Sequence, residues 1–520
     1  MSELEKGVNY AQEYEYDEFG YTKTQPSDFS IGIPDRLRFA SVIVLLTELC
    51  ERFTYYGSSL MFTTYMRRQL NQDTNNAVSI NRGFTFLAYA TTLLGGYISD
   101  EFLGKYKTIS IFAIWYLLGS ALLSVSAITS IAMGTRLALF IVSTYVFIAF
   151  GTGGIKANVS TFVAEQIRSG YKPTSEPGVY YDSRLTTERC YRYFYWAINI
   201  GATTGILSCP VIAKRQGYDI AFATPAALMF VCILVFIPSY RFFYHKKPAG
   251  SIFAKSIRVF KYAKKHKSAS NAHWLDAAKG VKDAEWNDAF IEGLKRAIKA
   301  CKVFLFYPFY WALYNNMTDN FINQGLRMKR PSWLESSQLV VVSSVCLIIT
   351  IPIFDTFIFP FLARKRVKLG PIKRIFIGFI IVVIDFILVT VLQKQVYKTG
   401  PYYDFTGPDA TSESFNNISI FWQIPIYITQ AISEIFASIT GLEYAYSQAP
   451  TELKSALQAL FLFTNAGGSL IGLLLSRWSN DPEVLYNFAA QTCIMAAVTA
   501  LFYYCFRHYD EAIREQVTYE

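Results

Sequence analysis

Long apolar segments are the feature of this 520-residue chain that most limits the folds open to it. A helix needs about 20 mainly apolar residues to cross the hydrocarbon core of a bilayer. About twelve segments approach that length, and most charged residues fall between them. The fifth, seventh and tenth segments each carry internal polar residues. The sequence therefore predicts an all-α membrane protein with about 12 transmembrane helices. These segments lie near residues 40–62, 80–99, 107–129, 136–158, 190–213, 221–243, 301–325, 336–362, 371–394, 417–442, 453–477 and 484–507.

The spacing of the segments divides the chain into two halves. Six segments within 38–243 are followed by a connector at 244–300 and by six more within 301–507. Two bundles of six helices are an arrangement typical of secondary transporters. The tail at 1–37 is acidic, and we expect it to be cytosolic and disordered. A second cytosolic tail covers 508–520. The connector is expected to hold amphipathic helices at the cytosolic surface, or to be a solvated linker.

Basic residues gather in particular loops and do not form a stripe, so the net charge of +10 does not indicate nucleic-acid binding. Loops 101–107, 241–302 and 364–374 are rich in Lys and Arg and share one side if the N-terminus is cytosolic. Such a bias indicates the cytosolic face. The basic loop at 327–330 falls on the opposite, outer side in this topology. The topology is kept because the three other basic loops agree with it. The eight cysteines have no paired spacing, which favours neither disulfides nor metal ligands.

A polar stripe follows one face of the first apolar segment. Charge inside a membrane costs several kcal/mol, so such residues usually have a function. At about 100° per residue, the stripe covers an arc of about 140°. Two carboxylates beside an arginine are suited to binding and releasing a proton. The alternative is an ion cluster that only fixes helix packing. The stripe consists of Glu48, Glu51, Arg52, Tyr55, Tyr56 and Ser59.

Further ionisable residues stand inside the fourth and tenth segments. Lys156 follows several glycines but has neither the spacing nor the Ser or Thr of a phosphate-binding loop. It is therefore expected to be a buried cation near Glu48 or Glu51. Glu434 shares a helix face with Ser438 in the other half.

A lysine in one half and a glutamate in the other suit a zwitterion such as an amino acid or a short peptide. Tyr195 and Asn199 lie one helical turn apart and could bind the amide groups between the two charges. Trp311 and Tyr314 could form aromatic walls. The alternative is that these aromatic residues only pack in the core.

Several motifs together resemble the proton-coupled oligopeptide transporter family of the major facilitator superfamily. The resemblance covers nearly the whole chain, and the connector and tenth segment are most similar to fungal members. It implies two six-helix bundles in the major facilitator fold. The motifs are Glu48-x-x-Glu51-Arg52-Phe53-x-Tyr55-Tyr56-Gly57, the run from Gly95 to Lys105 with Asp100 and Gly104, Gly151-Thr-Gly-Gly154-Ile-Lys156, Phe194-Tyr195-Trp-x-Ile198-Asn199, and Ser433-Glu434-Ile-Phe436.

The resemblance implies roles for these positions. Proton coupling would fall to Glu48, Glu51, Arg52 and Lys156, and the peptide carboxylate would bind Lys156 while its amine binds Glu434. The implied substrate-binding set is Tyr56, Lys156, Tyr195, Asn199, Trp311, Glu434 and Ser438.

Three positions depart from the pattern of the family. Ser59 stands where bacterial members often carry a carboxylate-binding arginine, Asn316 where fungal members tend to carry Gln, and Asp319 is unusual. The last two leave peptide range and outer gating open.

We therefore expect a symporter that imports di- and tripeptides with protons. A peptide-binding nutrient sensor and a transporter of nitrate or another small organic solute remain alternatives. The four histidines lie outside the apolar segments and no Ser/His or metal cluster is visible, so no enzyme is expected. No cofactor other than the transported protons is expected. The predicted setting is the plasma membrane, with the vacuolar membrane as an alternative, and a functional monomer.

Overall fold

The computed structural model describes residues 17, 20–246, 248, 250, 252–266, 273–281, 284–358, 370–447 and 454–509. Most of the two predicted tails lies outside these residues. The first half contains α1 (Phe39–Ser59), α2 (Phe62–Gln69), α3 (Thr74–Ile98), α4 (Lys105–Ser126), α5 (Met133–Ile141), α6 (Ala149–Glu165), α7 (Ser183–Gln216) and α8 (Tyr218–Phe236). The connector contains α9 (Ile252–Lys265) and α10 (Asp288–Phe304). The second half contains α11 (Tyr307–Tyr314), α12 (Asn320–Leu326), α13 (Val340–Ile353), α14 (Pro371–Lys398), α15 (Ile424–Glu434), α16 (Thr440–Ser447), α17 (Lys454–Leu475) and α18 (Val484–Phe506).

Length and composition alone mark eight helical segments of the described chain as able to cross a membrane. They are Lys105–Ser126, Met133–Glu165, Leu185–Gln216, Tyr218–Phe236, Ser336–Ile353, Pro371–Lys398, Ala456–Trp478 and Val484–Phe506. The other four predicted spans are helical too, but polar side chains lower their hydropathy. They correspond to α1, α3, the pair α11 and α12, and the pair α15 and α16. The most polar spans therefore provide most of the site described below.

Two of these polar spans are interrupted. A 3-10 turn at Asn315–Thr318 separates α11 from α12, and a π-helical turn at Ile435–Ile439 separates α15 from α16. The tenth span was predicted to begin near residue 417, but Asn416–Ser419 forms strand β5, which pairs in parallel with β4 (Met328–Lys329). The backbone of these four residues bonds across the strand pair, so the helical span begins with a 3-10 turn at Ile420–Gln423 and continues as α-helix from Ile424.

The N-terminal tail is partly ordered, contrary to the expected disorder. Strand β1 (Ile31–Ile33) pairs in parallel with β3 (Val179–Asp182), which pairs antiparallel with β2 (Tyr171–Pro173). The Tyr21 hydroxyl donates to Asp35 Oδ2 at 2.6 Å, and burial together with this carboxylate raises the pKa of Tyr21. A strand of three residues is too short for its periodicity to be recognised in the sequence. Strand β1 also forms only by pairing with β3, which lies about 150 residues further along the chain.

The connector packs against the protein through its apolar side chains. Val259 and Ala263 of α9 are fully buried in the same core as the second half. On the polar side, Asp276 pairs with Lys295 at 2.6 Å and with Lys279 at 3.1 Å. These two ammonium groups hold the pKa of Asp276 at about 2. The helices are thus held by tertiary contacts, while their predicted cytosolic position stays a prediction.

Contacts between the two halves gather at the end where α1 finishes, the end predicted to face outward. Arg82 of α3 pairs with Asp319, with Nε to Oδ2 at 2.5 Å and Nη2 to Oδ1 at 3.0 Å. Arg67 Nη1 donates to Asn323 Oδ1 at 2.9 Å. The exposed Glu413 pairs with Arg68 at 2.7 Å. These bonds close the outer end of the molecule.

Candidate functional site

The predicted polar stripe of α1 forms a buried ion cluster. Arg52 Nε lies 3.0 Å from Glu48 Oε1, and the same guanidinium pairs with Glu51. The Thr152 hydroxyl of α6 donates to Glu51 Oε1 at 2.6 Å. All three charged side chains are at most 3 % exposed. One arginine therefore serves two carboxylates, and a proton on either of them would reduce the charge that Arg52 balances.

Lys156 lies near this cluster but is not paired with it. Its Nζ stands 4.0 Å from the centre of the Tyr89 ring and 5.9 Å from that of Tyr55, a cation–π arrangement. Within the part of the chain that the structure describes, Lys156 forms no ion pair with Glu48 or Glu51. In this conformation its ammonium group is therefore available to another anion.

Close packing of α3 on α6 fixes the position of Lys156. A Cβ atom at Gly95 would lie 2.6 Å from the backbone of Gly154, so only glycine allows this approach. The Asn158 side-chain amide donates to the carbonyl oxygens of Gly95 and Gly154, at 3.2 and 2.8 Å. The glycines before Lys156 are thus packing residues, in agreement with rejecting a phosphate-binding loop.

Lys156 lines an inner cavity of about 140 Å³. Asp100 and Lys105 lie on its wall, together with Phe253 of the connector and Gln458 of α17. Both halves therefore border this cavity, which lies toward the predicted cytosolic end.

A central cavity of about 180 Å³ lies between the two halves. Pockets for drug-sized ligands usually measure roughly 300–1,000 Å³, so the cavity is small in this conformation. Its polar walls come from both halves. They include Tyr56, Ser59, Tyr195, Asn199, Tyr314, Ser343 and Glu434.

Glu434 supplies a carboxylate to the wall contributed by the second half. The Tyr314 hydroxyl donates to Glu434 Oε2 at 2.8 Å, which orients the carboxylate without neutralising it. On the wall contributed by the first half, the side-chain amide nitrogen of Asn199 donates to the backbone oxygen of Tyr195 at 2.8 Å. The side-chain oxygen of Asn199 can accept a hydrogen bond from a ligand. The cavity can therefore bind a cationic group at one wall and amide groups at the other.

Three predicted binding residues do not line the central cavity, and Lys156, which lines the inner cavity instead, is one of them. Trp311 is 5 % exposed and donates through its indole N–H to Thr464 Oγ1 at 2.9 Å. Its ring packs edge-on against Tyr314, with ring centres 5.3 Å apart. Ser438 lies in the π-helical turn after Glu434, away from the lining residues of the central cavity. The structure thus places Trp311 behind the aromatic wall.

Sequence reasoning missed the contribution of α3. Asn81, Thr85 and Tyr89 follow each other at intervals of four residues and line the central cavity. This periodicity was readable as one polar helix face. Ser343 and Ser344 of α13 were also missed, because serine is common at helix contacts in membranes and gives no distinctive signal.

The structure also locates the three departures from the family pattern. Ser59 lines the central cavity. Asn316 is fully buried and donates to Gln491 Oε1 at 2.9 Å, which makes it a packing residue. Asp319 joins the halves through Arg82 and lies outside the set of cavity-lining residues.

Two helical halves enclose a polar central cavity, with an ion cluster buried beside it, and these features define a secondary transporter. Residues 106–494 match the model of the POT family. The chain belongs to this family, which confirms that it is a transporter and not an enzyme. Helical spans and family together make it an integral, multi-pass membrane protein.

Individual relatives agree with the family match. The Schizosaccharomyces pombe protein named "Probable peptide transporter ptr2" is 38 % identical over 500 residues, covering 91 % of this chain and 78 % of the relative. "Peptide transporter PTR2" of Saccharomyces cerevisiae is 35 % identical over 486 residues, covering 91 % and 80 %. The crystal structure of the POT family transporter PepTSo has a TM-score of 0.75 at 23 % identity and covers 91 % of this chain and 99 % of its own. This likeness confirms the predicted major facilitator fold.

Proposed function

We propose that this protein is a proton-coupled symporter that imports di- and tripeptides by alternating access. The observation that carries the proposal is the central cavity, which has Glu434 on one wall and amide-binding side chains on the other. The names of the fungal relatives, both peptide transporters, support the substrate class.

Substrate recognition follows from the charges around the cavity. The peptide ammonium group binds the Glu434 carboxylate, where a charge-assisted bond is worth about 1.5–3 kcal/mol. The peptide backbone bonds to Tyr195 and Asn199. Its carboxylate is attracted to Lys156, which gives up its contact with Tyr89 to reach it. Because Ser59 brings no charge to the cavity, Lys156 carries most of the carboxylate recognition.

Proton coupling follows from the ion cluster of α1. Two ionised carboxylates and Arg52 leave one negative charge, which attracts Lys156 and competes with the peptide carboxylate. A proton on Glu48 or Glu51 removes that attraction, so Lys156 binds the substrate instead. Peptide and proton thereby stabilise the same loaded state, which links their transport.

Alternating access requires the outer contacts to break and the inner cavity to close. The outer end is closed through Arg82 and Asp319, while a cavity remains at the inner end. The carrier works as a monomer in the plasma membrane, with the vacuolar membrane as the alternative, and needs no cofactor besides protons.

Uptake of a labelled dipeptide into proteoliposomes tests the function. We expect accumulation that requires an inward proton gradient and that unlabelled di- and tripeptides abolish, whereas nitrate and single amino acids do not. The exposed variant Asp409→Asn is a matched control and should transport like the wild type. Binding without accumulation would identify a sensor, and competition by nitrate alone would overturn the peptide assignment.

A further inference from the structure

A second buried carboxylate lies in the second half, outside the set of residues that line the central cavity. Asp385 of α14 is fully buried, and both of its carboxylate oxygens lack a hydrogen-bond partner. No Lys or Arg of the described chain pairs with it. An isolated carboxylate charge is very costly in such surroundings, so the group is stable there as a neutral acid.

The register of α14 against α15 identifies the neighbours of Asp385. The Ser433 hydroxyl of α15 donates to the carbonyl oxygen of Gly378 at 2.8 Å. The two helices belong to consecutive spans and run antiparallel. Asp385 lies two turns after Gly378 on α14, and Tyr427 and Gln430 lie within two turns before Ser433 on α15. Because the helices run antiparallel, Asp385 is level with these two residues.

The polar atoms of these neighbours are also unpaired. Gln430 has no partner for either its amide nitrogen or its amide oxygen, and the hydroxyl group of Tyr427 has none. The Tyr310 hydroxyl interacts with Ser433. All of these side chains are fully buried, and both phenols lie within electrostatic range of Asp385. Buried polar groups are nearly always hydrogen-bonded, so five unpaired atoms on Asp385, Tyr427 and Gln430 mark a site that holds a proton or ordered water.

Helices α11, α15 and α18 pack against α14 and bring the side chains that surround Asp385. Helix α15 brings Tyr427 and, one turn beyond Gln430, Glu434. Helix α11 brings Tyr310. Helix α18 packs the apolar ring of Phe488 against α14. Among the described residues no cation faces Asp385, so a proton is the ligand that neutralises it.

Three hydrogen-bonded glutamine side chains lie beyond Asp385 toward the predicted outer end. Gln423 donates to Gln324 Oε1 at 2.9 Å, and Gln324 donates to Gln393 Oε1 at 2.8 Å. Gln393 lies about two turns from Asp385 on α14. These amides can hydrogen-bond to water and so guide a proton inward from outside.

Toward the central cavity, Asp385 is connected to Glu434 by two tyrosines. The ring of Tyr310 lies 6.2 Å from that of Tyr314, centre to centre, and Tyr314 donates to Glu434. Both tyrosines belong to α11, which ends at the 3-10 turn Asn315–Thr318. A bend at this turn during alternating access would move both phenols relative to Asp385.

We propose that Asp385 is a second proton-binding site of this carrier. The carboxylate accepts a proton that enters from the outer end, and in the conformation described, which is closed outside, it holds that proton as a carboxylic acid. The proton leaves toward Glu434 as the inner end opens. Only an O–H bond forms and breaks, and one proton is carried. The proposal rests on the proposed proton-coupled transport.

Infrared spectroscopy of the purified protein tests the site without transport. At neutral pH the wild type should show the C=O stretch of a protonated carboxyl group, which Asp385→Asn should lack and Asp409→Asn should keep. An identical carboxyl band in wild type and Asp385→Asn would overturn the proposal. If Asp385→Asn does not fold, Asp385→Glu keeps a carboxyl group but moves it, so the C=O band should shift. An unmoved band would show that the wild-type band comes from another carboxyl group and would overturn the proposal equally.

The ratio of protons to peptide, measured from reversal potentials in proteoliposomes, tests the role in transport. Asp385→Asn should still transport peptide but with one proton fewer per peptide, while Asp409→Asn keeps the wild-type ratio. An unchanged ratio in Asp385→Asn would overturn the role. Failure of the wild type to couple protons to peptides would overturn the proposed function instead, and the infrared experiment would still decide whether Asp385 binds a proton.

Discussion

Replacing Asp319 by Asn should open the outer end of the carrier. The Asp319 and Arg82 side chains are 0 % and 1 % exposed in the closed conformation, so the neutral variant leaves a guanidinium charge buried without a counter-ion. Breaking a buried pair from one side costs about 3–5 kcal/mol. Because the amide oxygen of Asn can still accept one hydrogen bond from Arg82, we expect Asp319→Asn to destabilise the closed conformation by about 3 kcal/mol, the lower end of this range.

This cost applies only while the outer end is closed, since opening hydrates Arg82. The equilibrium between the two conformations should therefore shift toward the outward-open state by about 100-fold. A matched control is Glu413→Gln, which removes the partner of Arg68 at the same end of the molecule. The Glu413 side chain is 52 % exposed, and exposed pairs are worth about 0–1 kcal/mol, so its shift should stay below about fivefold.

Pulsed electron paramagnetic resonance can measure this shift. Spin labels at Ser130→Cys and Asp409→Cys, both exposed in outer loops of different halves, report the separation of the halves. The exposed Cys493 and Cys505 are replaced first. Asp319→Asn should add a population at longer distance that wild type and Glu413→Gln lack. Equal distance distributions for Asp319→Asn and Glu413→Gln would refute the reasoning that burial of the Arg82 pair holds the outer end closed.

Other changes test the substrate and coupling residues and the connector. Lys156→Ala should abolish proton-driven accumulation in proteoliposomes, and normal gradient-driven uptake in this variant would contradict the coupling model. Glu434→Gln should weaken binding of peptides with a free amine by about 10- to 100-fold, from the loss of about 1.5–3 kcal/mol, but should spare N-blocked peptides; equal losses would indicate a packing role for Glu434. In the connector, Lys295 and Lys279 lower the pKa of Asp276 to about 2, so this carboxylate stabilises the fold above its unfolded pKa of about 3.9 and stops doing so as the pH falls through 2. Hydrogen exchange should therefore show α10 losing protection over this acid range in the wild type, and Asp276→Asn should lack that pH-dependent step; the same step in the variant would contradict the assignment.

Helix periodicity made part of the candidate site readable from the sequence. The stripe from Glu48 to Ser59 was predicted to occupy one face of a helix, and the structure buries its charges as one cluster. Glu434, Tyr195 and Asn199 were predicted to share one cavity with Lys156; these three line the central cavity, whereas Lys156 lines the inner one. Such predictions succeed because a charged residue inside an apolar span must avoid lipid, which determines the direction it faces.

Helix periodicity does not predict which residue each polar side chain contacts. Arg82 was overlooked although it pairs with Asp319, because the two lie 237 positions apart and belong to different halves. Lys156 was expected near Glu48 or Glu51, and it lies near both, but among the described residues it is paired with neither and contacts the Tyr89 ring instead.

The sequence by itself determined the all-α membrane fold and the direction in which most charged residues face. Both follow from local physics, since apolar length and helical periodicity depend on residues a few positions apart. Tertiary structure alone decided which side chains meet: the isolation of Asp385 beside the unpaired side chains of Tyr427 and Gln430 depends on how α14 packs against α15 and α11. The physical reason is that a contact between helices depends on their register and on the conformation of the carrier, and neither is encoded in any single span.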